Sequence, residues 1–125
     1  MKYKYSILVA AAIVYLSLMK PPKISEDLLK IENLDKFIHA IMYATLTVSI
    51  FFENKNTNKP LKYFIIFIIS TIFGGVIEIL QSYFPPRTAT WGDLLADAIG
   101  AALPLAIIFI IYYHDRKKHS KANRT

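Results

Sequence analysis

Cysteine is absent from this chain of 125 residues. Its absence excludes disulfide bonds and thiolate metal sites, and it leaves the redox compartment open. Charged residues are also scarce, at 19%, whereas hydrophobic residues make up 54% of the sequence. Together with a mean hydropathy of +0.37, this composition differs strongly from that of a soluble domain and indicates a membrane protein.

Four apolar stretches are candidates for membrane-spanning helices. They cover residues 5–19, 37–52, 63–84 and 94–113. Crossing the hydrocarbon takes about 17–25 residues per helix, so the first two stretches reach that length only with flanking residues. Lys2 and Lys4 can extend the first stretch by snorkelling, and Asp35 and Lys36 can begin the second helix.

The predicted fold is an all-α membrane protein with four transmembrane helices and one short interfacial helix, forming a single domain over residues 1–125. The interfacial helix is expected over residues 24–34, where Ile24, Leu28 and Ile31 recur at helical spacing in a segment too short to span. A cleaved signal peptide is disfavoured, because no small-residue cleavage pattern follows the first apolar run.

Basic residues are distributed unevenly between the two sets of helix flanks. The N-terminus, the loop over residues 53–62 and the C-terminal tail carry ten of the 15 basic residues, and the opposite flanks carry five. This excess predicts that both termini of the membrane protein lie in the cytoplasm. The basic tail is interpreted as a topology anchor and not as a nucleic-acid site, because interleaved aromatic residues are missing there.

Ionisable and polar residues in the second apolar stretch form one stripe. Asp35, His39 and Tyr43 are each four residues apart and therefore share a helix face. Asp35 can accept the N–H of His39 and fix its tautomer, which leaves the other ring nitrogen free for a proton or a metal. The alternative is a helix cap for Asp35 and a structural hydrogen bond for His39.

The third stretch carries Glu78, with Gln81 and Ser82 on the same face. Glu78 lies about 9 Å from the outer end of this helix at 1.5 Å per residue. A lone carboxylate at that depth must be protonated, paired or exposed to a wet cavity. Glu78 is therefore the strongest functional candidate in the chain. Gly74 and Gly75 precede it and are explained by close helix packing.

The hairpin after the third stretch contains Arg87, which can neutralise carboxylates or hold a phosphate through a bidentate contact. Thr90 and Asp93 have the spacing of a capping box, so Asp93 has a structural as well as a binding interpretation. Asp97 lies one turn deeper than any cap. This position predicts a pairing of Asp97 with Arg87, with His39 or with a ligand.

These residues form a pattern that resembles the VanZ-like family over residues 35–101. The matching positions are Asp35, Lys36, His39, Tyr43, Glu78, Gln81, Arg87, Asp93 and Asp97. In that family position 97 is frequently asparagine, and a small residue often occurs where this chain has Pro104. The resemblance implies a small integral membrane protein. The family takes its name from a member linked to resistance against the glycopeptide antibiotic teicoplanin.

Four hypotheses for function follow from the polar residues. The first is a site open to the outer leaflet that binds or modifies an anionic lipid-linked or envelope component. Its acid–base residues are His39, Glu78, Asp35 and Asp97, and its ligand-binding residues are Arg87, Tyr43, Gln81, Lys36 and Asp93. The others are a metal-dependent hydrolase or transferase built on His39, Glu78 and Asp97, a proton-coupled carrier, and a structural helix lock. The sequence names no cofactor and leaves open whether the protein is an enzyme.

Overall fold

The computed structural model describes residues 2–19, 34–54, 59–84 and 90–122. Within these ranges the chain is helical and contains no strand. The helices are α1 (Lys4–Leu18), α2 (Leu34–Glu53), α3 (Pro60–Ser82) and α4 (Trp91–Ala122). The predicted helix order is confirmed, and the protein is all-α in its described parts.

Three of the four helices are long and apolar enough to cross a membrane. They are Leu34–Glu53, Pro60–Ser82 and the part of α4 over Trp91–His119. α1 has 15 residues and a length of about 22 Å, which is shorter than the hydrocarbon of a bilayer. A fourth transmembrane helix is therefore not established by length. The predicted interfacial helix lies outside the described residues, except for Leu34, which begins α2.

The helix ends differ from the predicted ones for physical reasons. α2 includes Asp35 in its first turn, as the flanking-residue argument predicts. α4 continues to Ala122, well past the predicted end at residue 113. Residues 114–122 contain no glycine or proline, and basic residues there are favourable at the negative end of a helix. Pro104 lies inside α4 without ending it.

The interior of the bundle is unusually polar, and its exterior is apolar. Among the described residues, the buried polar side chains are Ser6, Ser17, His39, Thr47, Ser70, Glu78, Gln81, Asp93 and Asp97. Large aliphatic and aromatic side chains face outward along all four helices. This distribution is typical of helices in lipid, where polar groups face the neighbouring helices. The apolar helices and their exposed surface identify an integral membrane protein.

Close contacts between helices position the polar residues. α2 and α4 make the most extensive contact, and Gly100 of α4 lies directly against the backbone of Ala40, where a β-carbon would not fit. α1 packs on α2 through a buried cluster of Ile13, Tyr43 and Leu46. A buried hydrogen bond of 3.1 Å from Thr47 Oγ1 to Ser70 Oγ joins α2 to α3.

The N-terminus of α1 is capped by a carboxylate from the end of α2. Glu53 accepts hydrogen bonds from the backbone N–H groups of Tyr5, at 2.7 Å, and Ser6, at 3.1 Å, and from the Ser6 hydroxyl. These N–H groups have no partner within the helix. The contact places the start of α1 beside the end of α2. The end of α1, the start of α2, the end of α3 and the start of α4 consequently lie at the other end of the bundle.

Candidate functional site

His39, Glu78 and Asp97 meet inside the bundle, one from each of α2, α3 and α4. The Nδ1 atom of His39 lies 2.9 Å from Asp97 Oδ1 and 3.5 Å from Glu78 Oε1. One ligand atom from each residue can be chosen so that all three lie within 4.8 Å of one another. We call these three residues the triad. The structure therefore brings together three of the residues that the sequence singles out.

The triad is buried, and its hydrogen bonding is incomplete. Asp97 has no solvent exposure and Glu78 is 6% exposed. Asp97 Oδ2 accepts no hydrogen bond from the described part of the chain. Glu78 forms no hydrogen bond of full geometry there and is approached by the backbone N–H of Thr90. Among those residues, no lysine or arginine forms an ion pair with either carboxylate. Buried carboxylates without full compensation are costly, and they are typical of sites that bind something.

Gly74 makes room for the carboxylate of Asp97. A β-carbon at residue 74 would lie 2.7 Å from Asp97 Oδ2 and 3.1 Å from Asp97 Cβ. Gly75, the next residue, would place its β-carbon at an ordinary 3.8 Å from Leu94. The close approach of α3 and α4 predicted from the two glycines therefore depends on Gly74. It is the absence of a side chain there that lets Asp97 reach His39.

Asp93 lies one turn before Asp97 and takes part in the start of α4. Its backbone N–H donates to Thr90 Oγ1 at 3.2 Å, and the same hydroxyl donates to Asp93 Oδ2 at 2.7 Å. Thr90 thus satisfies one of the free N–H groups of the helix, as the predicted capping spacing requires. Asp93 Oδ1 is buried and has no partner among the described residues, so one oxygen remains available beside the triad.

Asp35 is not the hydrogen-bond partner of His39 that its spacing suggests. The Nδ1 atom is bonded to Asp97, and the Asp35 carboxylate lies 4.0 Å from Lys36 Nζ with about half of its side chain exposed. At the first turn of α2 the carboxylate is drawn to water and to a neighbouring cation, whereas Asp97 approaches His39 from α4. The alkyl chain of Lys36 lies over Gly92 at the start of α4.

Within the described ranges, neither Tyr43 nor Gln81 forms a hydrogen bond with the triad. Tyr43 is fully buried in the α1–α2 cluster, and its hydroxyl has no partner among the described residues. Gln81 Nε2 donates a 3.0 Å hydrogen bond to the carbonyl oxygen of Ser17. Because carbonyls in the last turn of a helix lack partners within it, Gln81 satisfies the end of α1. Arg87 lies outside the described residues.

The sequence did not reveal two contacts that build the bundle around this site. The loop predicted over residues 53–62 includes Glu53, yet Glu53 ends α2 and caps α1. Thr47 and Ser70 carry no signal in the sequence that singles them out. Both contacts join residues that are far apart in the chain. A carboxylate at the end of one helix does not by itself predict that it caps another helix, because the partner helix is known only from the packing.

The triad offers two chemical possibilities. One imidazole and two carboxylates form a donor set that can hold a divalent cation. The same groups can share and relay protons, since histidine and buried carboxylates exchange protons readily. Both possibilities use the incomplete hydrogen bonding of Glu78 and Asp97.

Comparisons with known proteins show the family of this chain. Searches of curated proteins and of solved structures found no significant match. A family model described as VanZ/LLP1 matches residues 4–112, which include all four helix cores and the whole triad. The resemblance inferred from the polar pattern is confirmed, and the chain belongs to the VanZ/LLP1 family.

Proposed function

We propose that this membrane protein binds or modifies an anionic lipid-linked or cell-envelope component at a site that opens to the outer leaflet. The proposal includes a role in resistance to glycopeptides such as teicoplanin, which is what the family resemblance implies. The observation that carries it is the incomplete hydrogen bonding of the triad. A structural lock would satisfy its own polar atoms, since each unsatisfied group costs stability.

Basic residues at the same end of the bundle support an anionic ligand. Lys36 lies in the first turn of α2. Its side chain is 39% exposed and crosses to Gly92 at the start of α4. Arg87 belongs to the connection between α3 and α4 in sequence. Guanidinium groups bind phosphate through paired hydrogen bonds. We assign head-group binding to these cations, and hydrogen bonding or acid–base chemistry to the triad.

The proposed membrane arrangement has four spans, with α1 as the shortest. α1 packs along α2 through Ile13, and Lys2 and Lys4 can reach the head groups from its N-terminal end. The ten-to-five distribution of basic residues favours both termini in the cytoplasm of a bacterium. The triad then faces the outer half of the bilayer, and the domain covers residues 1–125.

Native mass spectrometry of the full chain tests the binding step. The detergent-purified protein is mixed with equal amounts of phosphatidylglycerol and phosphatidylcholine, and a polyprenyl phosphate serves as competitor. We expect adducts with the anionic lipid to dominate and the polyprenyl phosphate to displace them. Arg87→Ala and Lys36→Ala should reduce these adducts, because each removes a cation from the proposed head-group site.

Arg116→Ala and Lys117→Ala are the matched controls. Both residues lie in the last part of α4, at the end of the bundle opposite the triad, and they should leave the competed adducts unchanged. Equal adducts with the two lipids would contradict the proposal. Loss of the anionic adducts in the Arg116 and Lys117 variants, together with their retention in the Arg87 and Lys36 variants, would also contradict it.

A further inference from the structure

The separations of His39 Nδ1 from the two triad carboxylates are close to those around a metal ion. Nitrogen and oxygen ligands lie about 2.0–2.2 Å from a first-row divalent cation, so neighbouring ligand atoms are separated by about 3.0–3.5 Å. His39 Nδ1 lies 2.9 Å from Asp97 Oδ1 and 3.5 Å from Glu78 Oε1. Glu78 and Asp97 belong to the same set, because one ligand atom from each of the three residues can be chosen so that all lie within 4.8 Å of one another.

A second observation points to a cation independently of these distances. Asp97 is fully buried, and its Oδ2 atom has no partner among the residues that the structure describes. The two oxygens of Glu78 are also buried and lack a hydrogen bond of full geometry within the described ranges, with His39 Nδ1 at 3.5 Å from Oε1. Carboxylate oxygens accept hydrogen bonds or bind cations, and a shared cation satisfies several of them at once.

The charge of the triad favours a divalent ion. With a neutral imidazole, the ionised carboxylates of Glu78 and Asp97 leave two negative charges in a buried space. No lysine or arginine within the described ranges forms an ion pair with either group. One proton compensates half of this charge, whereas one divalent cation compensates all of it. Asp93 adds a third carboxylate one turn away on α4.

We propose that His39, Glu78 and Asp97 bind one divalent transition-metal ion, of the Mn²⁺ or Zn²⁺ type. Mixed imidazole and carboxylate ligation suits these ions, while Mg²⁺ and Ca²⁺ prefer oxygen ligands alone. Three protein ligands leave coordination positions open for water or an anionic group, as in catalytic metal sites. The inference goes beyond the proposed function and does not depend on it, because a metal site can be measured without any lipid.

The test is electron paramagnetic resonance of Mn²⁺ added to the full-length protein in detergent after chelator treatment. We expect one bound Mn²⁺ per chain, with a ¹⁴N modulation in pulsed spectra from a directly coordinated imidazole. Zn²⁺ should displace the Mn²⁺ at lower concentration than Mg²⁺ does, following the affinity order for such ligands. Failure of the wild-type protein to bind Mn²⁺ with a nitrogen signal would overturn the proposal without any variant.

Matched variants test which residues hold the ion. Glu78→Gln and Asp97→Asn should weaken Mn²⁺ binding by more than about tenfold, because even the outer partners of metal ligands are worth about 10–100-fold. His39→Gln should remove the nitrogen signal. Asp35→Asn changes a half-exposed carboxylate at the same end of the bundle and should bind as the wild type does.

Melting curves recorded without metal show whether each variant is folded before its binding is interpreted. Undiminished Mn²⁺ binding by a folded Glu78→Gln protein would overturn the assignment, and so would displacement by Mg²⁺ as readily as by Zn²⁺. Lipid adducts measured in chelator report on the proposed function separately. Loss of metal binding with retained anionic adducts would therefore contradict this inference alone.

Discussion

The carboxylate of Asp97 on α4 occupies the space beside Gly74 on α3 that any side chain at residue 74 would fill. From this position Asp97 Oδ1 lies within hydrogen-bonding distance of His39, at 2.9 Å from Nδ1. The contact involves three helices. The geometry of the triad therefore depends on the smallest residue in its surroundings, which carries no chemistry of its own.

Gly74→Ala should destabilise the protein and displace Asp97. The added methyl group would lie 2.7 Å from Asp97 Oδ2, and overpacking of this kind typically costs about 1–3 kcal/mol. Thermal unfolding in detergent measures the loss. Gly75→Ala is the control, because its β-carbon would meet Leu94 at 3.8 Å, and alanine favours a helix by about 0.5–1 kcal/mol over glycine. Equal melting temperatures for the two variants would contradict the packing described here.

Gln81→Leu should lower stability and leave anionic lipid binding intact. The substitution removes the 3.0 Å hydrogen bond to the Ser17 carbonyl, and interhelical hydrogen bonds in membrane proteins are worth about 0.6–1.7 kcal/mol. Ser82→Ala serves as the control, since the exposed Ser82 hydroxyl donates within its own helix to the carbonyl oxygen of Ile79. Unchanged stability together with lost lipid adducts would make Gln81 a ligand contact and not a tie to α1.

Much of the fold was predictable because membrane helices have a strong local signal. Runs of apolar residues predicted the ends of α2, α3 and α4 to within a few residues, except for the end of α4. The extension of α4 to Ala122 was missed, because hydropathy marks the membrane boundary and does not mark the end of a helix. Whether α1 crosses the membrane could not be predicted, because it is apolar but short. Apolar character alone does not establish that a helix spans the bilayer.

The site was predictable as a set of residues but not as a set of contacts. Buried ionisable groups in apolar helices are rare enough to identify His39, Glu78 and Asp97 individually. Spacing along α2 favoured Asp35 as the partner of His39, whereas the partner is Asp97, 58 residues away in sequence. Helical periodicity describes neighbours on one helix. Choosing between them and residues of another helix requires the interhelical packing, which here depends on Gly74 and Gly100.

The orientation can be tested with single cysteines, since the chain has none of its own. Cysteines at residues 32, 56 and 120 are exposed to an impermeant thiol reagent in intact cells. Only residue 32 should be labelled, because the flanks rich in basic residues belong in the cytoplasm. Lysed cells provide the control, in which all three positions should react. Labelling at residue 56 or 120 in intact cells would reverse the proposed orientation.

Arg87 should couple weakly to the triad. Removing one partner of a buried ion pair costs about 3–5 kcal/mol, whereas pairs that water reaches contribute about 1 kcal/mol or less. We expect double-mutant cycles of Arg87→Ala with Glu78→Gln and with Asp97→Asn, measured by unfolding in detergent, to give coupling below about 1 kcal/mol. Arg87→Lys should bind the anionic lipid as poorly as Arg87→Ala does, because lysine cannot form the bidentate contact with a phosphate. A coupling of several kcal/mol would make Arg87 an internal counter-ion.

The central claim is that the triad is present for function and not for folding, and Glu78→Gln tests it most directly. The substitution keeps the shape of the side chain and its ability to form hydrogen bonds but removes its charge. Glu53→Gln changes the carboxylate that caps α1 at the opposite end and is the matched control. Melting temperature in detergent and teicoplanin resistance of cells expressing each variant are measured together. On the proposed role in teicoplanin resistance, we predict that Glu78→Gln loses the protection that the wild type gives at near-normal stability, while Glu53→Gln is less stable and remains active. A destabilised Glu78→Gln protein that retains full activity would contradict the account and identify the triad as a structural lock.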